Sequence, residues 1–152
     1  MIKYWLFKSE PSVYSIDDLK KDKVTYWDGV RNYQARNFLR DEIKPGDKVL
    51  FYHSNSKTTG VFGIARVVKG GYPDFTAFDS NDPHYDPKSK REKPTWFMVD
   101  IRFEKKFKLP VTLEAIKSNP KLKSMKLVQR GNRLSVMPVT KEEFEEIVKM
   151  SK

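Results

Sequence analysis

The densest chemistry in this 152-residue chain lies at residues 24–40, VTYWDGVRNYQARNFLR. Trp27 offers a flat π face. Asp28-Gly29 favours a turn, because glycine accepts positive φ and aspartate tolerates or caps such turns. Asn32 is placed to cap a helix by accepting a bond from a free N–H of its first turn. Ala35, Phe38, Leu39 and Ile43 then recur at the spacing of a buried helical stripe, which leaves Arg36 and Arg40 facing water or a phosphate. An indole, an amide and a row of backbone N–H groups at one helix mouth suit polar or anionic ligand atoms. The competing reading makes Trp27 core and Asn32 a plain cap, since buried tryptophan is common.

Polar residues also cluster where apolar runs stop, at Ser9-Glu10-Pro11 and at His53-Ser54-Asn55. Two histidines and no cysteine do not assemble a metal site at recognisable spacing, so neither a metal nor a cofactor is expected. There is no GxxxxGK[ST] phosphate loop and no GxGxxG. Adjacent His53 and Ser54 are poorly placed for a base to reach a nucleophile, and no GxSxG elbow exists. Asp79, Asp82 and Asp86 with His84 form an acidic knot that could bind a divalent ion or act in hydrolysis, but its spacing matches no cation loop and loop solubility is the favoured reading.

The elements that must position these groups follow from pattern. Residues 2–8 are apolar on both alternating faces, as in a central or barrel strand, and Pro11 ends the run. Ser15 with Asp18 opens a short helix. Pro45-Gly46-Asp47 marks a turn into a strand over 49–53, and 61–69 forms a third strand, paired with the second as a hairpin. Gly63 and Ala65 in the third strand leave room for something bulky. Residues 70–94 form a long aromatic loop, which in a compact domain is usually functional or disordered. Residues 95–107 resume strand pattern, a short helix covers 112–117, and Gly131-Asn132 turns a hairpin between 127–128 and 134–136. Thr140 with Glu143 opens a terminal helix. The expectation is one α+β domain over 1–152, a small mixed β-barrel flanked by short helices.

Thirty Lys and Arg against twenty Asp and Glu give a formal charge of +10 and an isoelectric point near 9.7. Nucleic acid is the favoured partner, and the 13% aromatic content supplies stacking surface as well as core. No basic amphipathic helix suits a membrane surface, and no apolar run approaches a membrane span. The N-terminus lacks signal-peptide character, so an intracellular protein is expected, cytoplasmic or, in a eukaryote, nuclear. Lys88, Lys90, Arg91 and Lys93 in the long loop, with Arg130 and Arg133, are candidate phosphate contacts. A pocket of this kind sandwiches an unpaired base on aromatic faces while amides and backbone groups read its edge.

Seven stretches resemble, in order, the EVE domain family: YWLFKSEP at 4–11, WDGVRNYQARNFLR at 27–40, FYHSN at 51–55, GIARVV at 63–68, YPDFTAFD at 72–79, YDPKS at 85–89 and RLSVMPV at 133–139. The resemblance implies a PUA-like fold related to YTH domains. It also implies a non-catalytic pocket for a modified base, modified cytosine in DNA or a modified base in RNA. By motif, that pocket draws on Ser9, Glu10, Trp27, Val30, Asn32, Tyr33, His53, Ser54 and Asn55. No second tryptophan matches the cage of the methyl-adenine readers, so a flatter or smaller base is expected. Two alternatives stay open: a general module for structured RNA, or an enzyme on a modified nucleotide with His53 as base and Glu10 as its acid partner.

Overall fold

The computed structural model describes residues 1–152. It contains six strands and four short α-helices, in the order β1 (Tyr4–Ser9), α1 (Ile16–Asp22), β2 (Val24–Tyr26), α2 (Tyr33–Asn37), β3 (Lys48–His53), β4 (Gly60–Pro73), β5 (Phe97–Thr112), α3 (Leu113–Ser118), β6 (Val136–Val139) and α4 (Lys141–Met150). The strands form one mixed sheet in the order β2-β5-β4-β3-β1-β6. The α+β expectation holds, but the sheet does not close into a barrel. Its outer strands β2 and β6 are only three and four residues long and pair on one side each. Curvature comes instead from β4 and β5, of 14 and 16 residues, whose pairing shifts register at several points.

The local signals act where they were read. Ser15 and Asp18 make a reciprocal capping box at α1, Thr140 and Glu143 do the same at α4, and Asn32 accepts from the Ala35 N–H at 2.9 Å. After α2 the chain continues as a π-helical turn over Phe38–Glu42, so the stripe of Ala35, Leu39 and Ile43 is buried while Phe38 is half-buried against Trp5. The bulky group close to Gly63 is the Ile16 side chain of α1; a Cβ there would meet it at 3.0 Å and would collide with the Lys105 carbonyl. The expected hairpin around Gly131 is absent: Lys126–Val128 is a 3₁₀ turn, and only Val136–Val139 joins the sheet.

One pairing matters most for function. β1 runs parallel to β3, with Ser9 beside His53, so both strands end at the same edge of the sheet. A parallel pair needs a long crossover, and here it carries α1, β2 and α2, including the Trp27 stretch, across those two ends. Trp5, Leu6 and Phe7 on β1 and Val49 to Tyr52 on β3 form the buried floor beneath. No helix is long and apolar enough to cross a membrane.

Candidate functional site

The parallel strand ends bring together the two polar clusters. The Ser54 N–H donates to the Ser9 carbonyl at 2.9 Å, and the Asn55 amide donates to Glu10 at 2.6 Å. Ser9 Oγ is spent on the Tyr14 carbonyl at 2.6 Å, which folds the 10–15 turn over the strand end. Above them the Trp27 N–H continues the β2–β5 pairing with the Val99 carbonyl at 2.8 Å, and the indole wedges against Phe7, Phe51 and Tyr14 at centroid distances of 5.3, 5.5 and 6.4 Å.

These groups surround an open cavity of about 890 Å³, whose lining includes Lys8, Ser9, Glu10, Tyr14, Asp22, Tyr26, Trp27, Asp28, Val30, Ser54, His84, Arg133 and Leu134. Trp27 is therefore both core and wall, with 8% of its surface exposed. Its indole differs from the other two: Trp5 Nε1 donates to Asp47 at 3.0 Å and Trp96 Nε1 to Asp86 at 2.7 Å, whereas Trp27 Nε1 has no partner in the protein and is not sealed from solvent.

The turn that presents Trp27 is tied down by a buried carboxylate. Gly29 has φ +77°, and its N–H donates to Asp74 at 2.8 Å. Arg31 Nη1 donates to the same oxygen at 3.0 Å, Arg31 Nη2 reaches the His84 carbonyl at 2.6 Å, and the guanidinium lies over the Trp96 ring. Thr76 supplies two further donors, its N–H and its hydroxyl. Burial alone would raise the Asp74 carboxyl, but the bonds from Thr76, Gly29 and Arg31 together outweigh it and hold the group below the usual carboxylate value. The long loop is thus an ordered clamp on the turn.

The same clamp brings His84 over Gly29, where an added Cβ would lie 2.5 Å from the imidazole. His84 Nδ1 is buried, 3.3 Å from both Asp28 Oδ2 and Asp82 Oδ1, without hydrogen-bond geometry to either. One ligand atom each from Asp28, Asp82 and His84 lies within 4.8 Å of the others, so these three are the residues able to hold a cation. The acidic knot otherwise separates into unrelated roles: Asp86 accepts from Trp96 and the Lys88 N–H, and Asp79 from the Asn81 N–H.

Beside the cavity, sharing Arg133 and Leu134 with it, lies a second concavity of about 410 Å³ lined by Asn32, Gln34, Lys126, Gln129, Arg130, Gly131, Asn132, Arg133 and Leu134. Its charged side chains are all cations, and none of Lys126, Arg130 and Arg133 forms an ion pair. The larger cavity instead carries Glu10, Asp22 and Asp28 against Lys8 and Arg133. A phosphate is favoured in the basin and disfavoured in the cavity.

Of the residues expected to bind ligand, Ser9, Glu10, Trp27, Val30 and Ser54 line the cavity, and Asn55 braces Glu10. Asn32 belongs to the basin. Tyr33 is exposed outside both, stacked on Trp96 at 5.0 Å. His53 is behind the wall: its Nε2 accepts the Ile16 N–H at 3.0 Å and its ring stacks on Phe62 at 4.0 Å. It does not share the cavity with Glu10, so the expected base–acid pair is not assembled. Lys88, Lys90, Arg91 and Lys93 are exposed on the loop and line neither concavity, with Arg91 stacked over Phe78. Arg36 and Arg40 do not await a phosphate either: Arg36 donates to the Thr95 carbonyl at 2.6 Å, and Arg40 pairs with Asp41. Asp28, His84 and Arg31 were missed as lining or bracing the pocket because their roles depend on contacts 43 to 56 residues away in the chain.

Burial lowers the His53 pKa from the usual 6.5, keeping the ring neutral and Nε2 free to accept. A histidine whose folded value is depressed contributes stability that is complete above the unfolded value and is lost as pH falls through the folded one. Chemical denaturation should therefore show stability declining below about pH 6.5, with His53→Gln removing that part of the pH dependence.

The EVE domain model matches residues 3–150. Rat thymocyte nuclear protein 1 is 46% identical over 166 residues, covering 97% of this chain and 73% of the rat protein. Among solved structures, human THYN1 in complex with 5-methylcytosine-containing DNA superposes with a TM-score of 0.92 at 44% identity, covering 99% of this chain and 98% of that one. A hypothetical protein from Leishmania major reaches 0.94 at 51% identity, covering 99% and 95%.

Proposed function

This chain belongs to the EVE domain family, and from that premise we propose that it is a non-catalytic reader of nucleic acid that seats one unpaired, modified base in the Trp27 cavity and its flanking phosphate in the Arg130–Arg133 basin. The observation that carries this reading is the division of charge between two adjoining concavities. The cavity joins aromatic walls to three carboxylates, a lining that accepts a base edge and repels phosphate, and the basin beside it is cationic. The human relative bound to 5-methylcytosine DNA makes modified cytosine in DNA the first ligand to test. Such a ligand implies a location with nucleic acid in the cell, and the names of the rat and human thymocyte nuclear proteins support the nucleus for a eukaryotic source.

Trp27 packs in the core, so truncating it to alanine would cost about 3–5 kcal/mol of stability and blur a binding test. Filling the cavity is cleaner. Ser54 is half-buried on its wall and its hydroxyl makes no hydrogen bond within the protein, so Ser54→Phe should occupy the space with little loss elsewhere. The variant is expected to bind methylated and unmethylated DNA alike, with unchanged salt dependence, in anisotropy titrations. Preserved preference for the methylated strand would place base recognition outside the cavity.

A further inference from the structure

Three carboxylates line the cavity, and two of them are already engaged by side-chain donors. The Asn55 amide donates to Glu10 at 2.6 Å, and the Tyr14 hydroxyl to Asp22 at 2.8 Å. Asp28 is the third. It follows Trp27 directly and is half-buried, on a turn fixed by the positive φ of Gly29 and by the Gly29–Asp74 bond. One of its oxygens lies 3.3 Å from His84 Nδ1; the other has no side-chain donor within the protein and is not sealed from solvent. An acceptor is therefore held beside an indole at a fixed place, with one oxygen available to a ligand.

Resting on the base-reading function above, we propose that Asp28 is the specificity-determining residue of the cavity: its carboxyl accepts the exocyclic N–H of an amino-bearing base, cytosine or its 5-substituted forms, and rejects bases of the thymine and uracil type. The chemistry follows from the base edges. Cytosine presents an N4 amino donor, which a carboxyl oxygen accepts, whereas thymine presents the O4 carbonyl at that place, lone pair against lone pair. Asp28 is an attractive discriminator because 5-methylcytosine and thymine share the 5-methyl group and differ only along the edge it faces.

The test uses three single-stranded oligonucleotides identical but for one position: 5-methylcytosine, cytosine or thymine. The wild-type protein is expected to bind the 5-methylcytosine strand tightest and the thymine strand roughly tenfold or more weaker, the range of one good edge contact. In Asp28→Asn, whose amide can turn either a donor or an acceptor to the base, the 5-methylcytosine-to-thymine ratio should collapse toward one while the salt slope is unchanged. Asp28→Ser, with circular dichroism matching the wild type, should collapse it equally. If both folded variants keep the wild-type ratio, the assignment of Asp28 is wrong and the base-reading function stands. If the wild type itself binds all three strands equally, the base-reading function falls, and this inference with it.

Discussion

Replacing Asp74 with alanine is expected to destabilise the protein by about 3 kcal/mol, the low end for breaking a buried ion pair because about a quarter of the Arg31 side chain remains exposed. The Asp74 side chain is fully buried and gathers the Gly29 N–H, the Arg31 guanidinium and both donors of Thr76. Removal leaves these donors without their acceptor and an uncompensated cation against the Trp96 ring. The loss should show in denaturant titration, and faster amide exchange at Gly29 should accompany it. Asp74→Asn keeps the shape but not the charge, and should fall between. The sign with pH is fixed by the same contacts: a carboxyl held below its usual value stabilises the fold above about pH 4, and that contribution is lost as pH falls further. Acid destabilisation should thus come in two stages, the His53 contribution below about pH 6.5 and the Asp74 contribution below about pH 4. Asp74→Ala should shrink the second stage and leave the first unchanged.

The second large effect concerns affinity. If Arg130 and Arg133 each neutralise one phosphate, each contact releases about 0.9 counterion, which at about 0.15 M salt is worth roughly fivefold in affinity. Arg130→Ala with Arg133→Ala should weaken binding to any strand by roughly 10- to 30-fold at that salt and lower the slope of log K against log salt by about 2. The preference for a methylated base should survive, because the cavity wall is otherwise intact. Lys88→Ala with Arg91→Ala should do less: both lie on the clamp loop, outside the two concavities, and Arg91 is stacked on Phe78. An equal loss from that pair would move the phosphate path onto the loop.

The division between what the sequence disclosed and what it did not follows interaction range. Helix starts at Ser15, Asn32 and Thr140 were legible because a cap and its N–H lie three residues apart. The strands over 4–9 and 48–53 were legible because aromatic and aliphatic residues filled them on both faces. Their parallel pairing was not, yet it alone explains why Ser9-Glu10 and Ser54-Asn55 meet. His53 shows the same limit: a histidine closing a polar strand end reads as chemistry, and only the docking of α1, with its uncapped Ile16 N–H, makes it structural. Arg31 and Asp74 gave no local signal, since a turn arginine and a loop aspartate are ordinary until a contact across 43 residues buries them together. That the sheet stays open was not legible for a related reason. Strand content was visible, but the shortness of β2 and β6, which keeps the sheet open, was not.

The central claim is that one concavity reads a base while its neighbour holds phosphate. Anisotropy isotherms for two oligonucleotides that differ by a single 5-methyl group on cytosine, measured across a salt series, separate the two most directly. The account predicts two parallel lines of log K against log salt, since the phosphates are the same, displaced by a constant preference for the methylated strand. Coincident lines at every salt concentration would contradict it, leaving a protein that holds phosphates and does not read the base.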